Sequence, residues 1–125
     1  RVKELHAFQV PKQNVLPSIT TFVTCDISAE NISQVPLCFP NLDTLVLIDH
    51  NNIIPADKLE AYFMQIVAAN PKLTRISYLR QAKPGANIYN STIRIPEKAD
   101  IYYFETDFKA IDPFASYNAI RGYRF

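Results

Sequence analysis

The sequence predicts an α/β fold: a parallel sheet whose strands follow one another in sequence order, with helices on the opposite side of it. Three observations carry that expectation. Apolar residues recur at offsets of three and five in several stretches, a helical period lies between the two clearest of them, and Pro or Asn punctuates their boundaries. The same pattern also fits a compact α/β domain with a mixed sheet.

The elements can be justified in chain order. "ELHAFQVPKQN" places Leu5, Phe8 and Val10 at the offsets, but only 14 residues separate Leu5 from Ile19, so 1–16 reads as an irregular N-terminal cap or strand. "LPSITTFVTCDI" brings Ile19, Phe22 and Thr24, two residues after Pro17. Segment 26–38 has the length of a short connection with a helical turn. "FPNLDTLVLIDH" supplies the best copy, Leu42, Leu45 and Leu47. Residues two apart on a strand share a face, so Leu45 and Leu47 point into the core together.

In "PADKLEAYFMQIVAANP", Leu59, Tyr62, Phe63, Ile66 and Val67 follow the three-and-four spacing of an amphipathic helix. The helix is expected over 57–69, capped by Asp57 and stopped at Asn70 and Pro71. "NPKLTRISYL" then gives Leu73, Ile76 and Tyr78. Residues 82–92 read as a loop, "TIRIP" as a short extra strand, and "ADIYYFETDF" as a fourth copy with Ile101, Phe104 and Thr106. The aromatic tail 109–125, with Phe114, Tyr117, Tyr123 and Phe125, is expected to cap the edge of the last strand.

Successive copies start at 19, 42, 73 and 101, intervals of 23, 31 and 28 residues, close to the 20–29 of leucine-rich repeats. In "FPNLDTLVL" and "NPKLTRISYL" the chain resembles a leucine-rich repeat segment, especially the variety in F-box adaptors, over residues 17–108. It departs from that pattern at His50, where Asn is usual, and at Thr24, Tyr78 and Thr106, where Leu is usual. The resemblance implies a solenoid fragment without enzymatic activity that binds a protein partner, possessing a substrate-recognition role in a larger adaptor. Repeat units cannot bury their apolar faces alone, so the chain is expected to be a piece of something longer. Its opening "RVKELHAF", with no initiator Met, fits that expectation.

Composition bounds the rest. The chain has 125 residues, 48% of them hydrophobic and 20% charged, which suits one globular domain rather than a disordered segment. Its longest apolar runs, "LVLI" and "IVAA", are far short of the roughly 20 residues that span a bilayer, so no membrane segment is expected. Cys25 and Cys38 lack metal-ligand spacing and read as buried thiols. The acceptor triplets at Asn31 and Asn90 would suit a secreted protein, but a cytoplasmic or nuclear location is the expectation. Net charge is −3 before residue 63 and +4 from there on, with 4 basic and 7 acidic residues against 9 and 5.

No catalytic signature, cofactor motif or metal site stands out. Asp49 and His50 are adjacent, but neighbours on a strand point to opposite faces and cannot act as an oriented base. The expected binding face lies between the inward residues: Thr21, Val23 and Cys25; Thr44, Val46 and Ile48; Arg75, Ser77 and Leu79; Tyr103, Glu105 and Asp107. The helix 57–69 is expected behind it. Val46, Ile48 and Leu79 would then be apolar side chains open to water, a mark of partner sites. If both faces of the sheet are covered, as in most parallel sheets, the same residues are core. The alternative function is a small nucleic-acid-binding domain using Arg75, Arg80, Lys83, Arg121 and Arg124.

Overall fold

The computed structural model describes residues 2–82, 89–95, 99–106 and 113–120. It contains strands β1 (Glu4–His6), β2 (Thr21–Thr24), β3 (Thr44–Asp49), β4 (Arg75–Gln81), β5 (Tyr89–Ile95) and β6 (Ala99–Thr106). The helices are α1 (Ala29–Ser33), α2 (Val35–Cys38), α3 (Leu59–Ala69) and α4 (Pro113–Ile120). The strands form one sheet in the order β1-β2-β3-β4-β6-β5. The first five of that order are parallel and β5 alone runs antiparallel, against β6. The predicted strands near 19, 42, 73 and 101 are therefore neighbours in sequence order. The "TIRIP" strand is longer than expected and takes in part of the stretch read as a loop; residues 83–88 lie outside the described residues.

Each parallel strand enters the sheet by the same backbone device. The carbonyl of Lys3 accepts from the amides of Thr20 and Thr21, that of Thr20 from Asp43 and Thr44, and that of Asp43 from Thr74 and Arg75. Asp100 N repeats the contact on the carbonyl of Thr74. In register, Leu5, Phe22, Leu45, Ile76 and Ile101 form one row across the sheet.

That row faces the larger core, where Ile19, Leu42 and Leu73 enter just ahead of the strands and α3 contributes Leu59, Phe63, Ile66 and Val67. Burial of this helix stripe is what holds an 11-residue helix that would be marginal alone. Phe22 packs on Phe39 at 4.6 Å between ring centroids, and Phe63 meets Tyr78 edge-on at 5.3 Å. The segment 26–38 holds α1, whose N-cap Ser28 accepts from the Asn31 amide, and α2, with Pro in its first turn.

Asp57 does not cap α3. It sits in a 3-10 turn, Ala56–Lys58, that leads into the helix, and Lys58 at the N-cap makes no side-chain cap bond. Asn70 ends the helix as expected, its side chain donating back to the Ile66 carbonyl.

Two register expectations are corrected. Ile101 already lies two residues inside β6, opposite Ile76, so it takes the second position of the pattern rather than the first. A strand alternates faces, and Phe104 therefore points away from Ile101, into a separate cluster. Leu5 likewise pairs with Phe22, and Phe8, expected inside, is 62% exposed.

Candidate interaction surface

The second face of the sheet is where the binding residues were expected, and Val23, Val46, Ile48 and Leu79 do share it. They are not open to water. All four are at most 1% exposed, closed over with Phe104 and with Tyr117 of α4. Phe114, also on α4, packs against the same cluster and against Phe8, and Phe114 and Tyr117 both lie 5.6 Å from the His6 ring. The tail helix thus crosses the face of the sheet toward β1 and does not cap the last strand, whose outer side is taken by β5. The apolar residues on this face are a second core, the outcome expected when both sides of a parallel sheet are covered.

What remains accessible on this face is a polar strip at the amino ends of the strands. Thr21 and Thr44 are half-buried, Arg75 is exposed and Ser77 is half-buried behind it. The Arg75 guanidinium carbon stands 4.8 Å from the centroid of Tyr102, a cation–π contact that holds the cation flat on the sheet. Tyr102 carried no signal in the repeat pattern, because the β6 register was read one face over.

Tyr103 and Glu105 are corrected for the same reason. Tyr103 packs against the larger core, with its ring 5.9 Å from Tyr78, and its hydroxyl donates to Glu105 at 2.5 Å. Asp107 lies outside the described residues.

At the carboxyl end of the strands, Asp49, Arg80 and Glu105 fall side by side in the register. Asp49 is buried and accepts from the amides of Ile53 at 2.8 Å and Ile54 at 3.3 Å and from the Tyr78 hydroxyl. His50, next to it, is exposed, so the two side chains part as alternation requires. Arg80 is 9% exposed and donates to the Ile54 carbonyl at 2.5 Å; its other terminal nitrogen has no hydrogen-bond partner among the described residues. A guanidinium so placed is withdrawn from any phosphate backbone. Lys83, Arg121 and Arg124 lie outside the described residues.

Residues that departed from the apolar repeat pattern turn out to be polar anchors. Thr24 donates to the Phe8 carbonyl at 2.7 Å. Asn31 is buried, accepts from the Val10 amide at 2.8 Å and donates to the Asp26 carbonyl at 2.6 Å. Its side chain is committed to the fold, which removes it as a glycosylation acceptor in the folded chain. Cys25 and Cys38 are not joined in a disulfide, and burial raises the Cys38 thiol pKa. No group of His, Cys, Asp and Glu among the described residues could hold a metal ion. No described helix is long and apolar enough to cross a membrane.

Two tyrosines give a pH dependence. Burial, then the hydrogen bond to Asp49, raises the Tyr78 pKa, and burial, then the nearby charges of Asp49 and Asp26, raises that of Tyr62. Both folded values lie above the unfolded one, so their contribution is fully present below pH about 10 and is lost as pH rises beyond it. The expected loss approaches about 2.7 kcal/mol per pH unit for two protons. Urea midpoints between neutral pH and pH 11 would show it, and Tyr78→Phe should halve the slope.

Comparison of the chain with protein-family models, curated proteins and solved structures finds no match.

Proposed function

We propose that this chain is a non-enzymatic protein-interaction module, a short leucine-rich-repeat-like segment that recognises a protein partner, with substrate recognition in a larger adaptor as its setting. The observation that supports the reading is the strand-entry device, in which one carbonyl per strand takes amides of the next at Lys3, Thr20, Asp43 and Thr74. A hydrogen bond repeated at each step is the mark of a unit stacked on its own copy, and such stacks present one residue per strand along a common line. The adaptor setting rests on the resemblance of "FPNLDTLVL" and "NPKLTRISYL" alone.

The recognition surface in this reading is the accessible strip, Thr21, Thr44, Arg75 and Ser77 with Tyr102, not the apolar residues beneath α4. Arg stacked on an aromatic ring is a favoured contact in protein interfaces, since little side-chain entropy is left to lose. Arg75→Glu combined with Tyr102→Ala should leave the thermal midpoint nearly unchanged and weaken partner binding by at least about tenfold, the loss of one good anchor. Crosslinking mass spectrometry on wild type and variant would check it. Partners retained unchanged by the variant would place recognition elsewhere.

A further inference from the structure

The sheet ends at β1, and this end is unusually apolar on its surroundings: Val2 is 63% and Phe8 62% exposed, on either side of a three-residue strand. Natural sheets blunt such ends, because an edge of this kind accepts another strand. The carbonyl of Lys3 and the amide of Ala7 turn inward to β2. In a parallel ladder both backbone groups of a residue point the same way and alternate along the strand, so those of Glu4 and His6 point outward.

We propose that β1 pairs antiparallel with β1 of a second copy of this chain, about a two-fold axis at Leu5, joining two sheets into one. The argument is self-complementarity. A two-fold at Leu5 sets Glu4 opposite His6 of the other chain and His6 opposite its Glu4, while Val2 meets Phe8 on both flanks. Within one chain Glu4 and His6 already lie 2.6 Å apart, so the joined edge carries a row of alternating sign. Opposite charges directly across an antiparallel pair stabilise it, and like charges oppose it. The backbone agrees: Glu4 and His6, whose groups point outward, become the hydrogen-bonded pair, and Leu5 becomes the close pair that faces its own copy without such bonds. Lys3 falls opposite Ala7 and meets no like charge. An isologous contact of this kind closes on itself, so it yields a dimer and not a fibre.

Sedimentation equilibrium of the chain should give twice the 14.3 kDa monomer mass at high concentration. E4K or H6E alone should weaken the dimer about tenfold, through two symmetric pairs made repulsive, and the E4K/H6E double variant should restore it. Register is read independently of those variants. Leu5→Cys should form a disulfide with its own copy under mild oxidation, identified by peptide mapping, because close antiparallel pairs lie within disulfide reach. Lys3→Cys should not. A monomer at every concentration overturns the proposal. So does a dimer in which Leu5→Cys fails to crosslink or the double variant fails to restore association, since the edge would then serve another partner or another face.

Discussion

Val46→Asp and Ile48→Asp together are expected to unfold the protein. Both side chains are essentially inaccessible and lie among Val23, Leu79 and Phe104 with Tyr117 above them. A carboxylate there has no cationic partner on the page and must either stay charged in an apolar cluster or take up a proton at a cost of several kcal/mol. Two such losses, at about 4 kcal/mol or more each, reach the whole stability of an ordinary domain. Far-UV circular dichroism and urea titration would read the loss directly. Ile48→Val, costing about 0.5–1.5 kcal/mol, is the folded control. If the Asp pair folds at wild-type stability, α4 does not cover this face in solution, and the open-face reading of the sequence returns.

Asp49→Ala carries the second large effect. The substitution strips the partner from two backbone amides, Ile53 and Ile54, and from the buried Tyr78 hydroxyl at once. Each buried donor left unsatisfied costs about 1–3 kcal/mol, so a loss of about 3–5 kcal/mol is expected for the three. Tyr78→Phe should cost only about 1–2 kcal/mol, because Asp49 keeps its two amides. The double variant should fall well short of the sum of the singles, since both remove the same bond. An Asp49→Ala loss under about 1 kcal/mol would mean that water replaces the carboxylate and that the turn after β3 is not held by it.

That turn also shows how the strand ends are tied together. Asn52 has φ of 51°, a left-handed conformation that Asn tolerates better than most residues. From there its side chain accepts from the Gln81 amide at 2.9 Å and donates to the Gln81 carbonyl at 3.1 Å, clasping the exits of β3 and β4. The repeat resemblance looked for Asn at His50, two positions earlier. A polar side chain reaching across a loop is chosen by where the backbone turns, which spacing alone does not reveal.

The order and direction of the main strands were legible in the sequence because they follow from local pattern. Leu42, Leu45 and Leu47, and Leu73, Ile76 and Tyr78, could bury their faces only if the helix between them crossed back over the sheet, and α3 carries the stripe that permits it. The inward and outward sets on β2, β3 and β4 followed by alternation. Pattern failed at β6, where two tyrosines and a phenylalanine in succession offer apolar side chains to both faces, so nothing in "IYYF" marks which parity is inside. Only pairing with β4 settles that, by placing Ile101 against Ile76. The fate of the second face was equally invisible. Val46, Ile48 and Leu79 look the same in sequence whether they await a partner or lie in a core, because hydrophobic burial has no direction. The tertiary structure decided it by laying α4 across them, a contact between residues some seventy positions apart, and so moved the accessible surface to Arg75 and Tyr102.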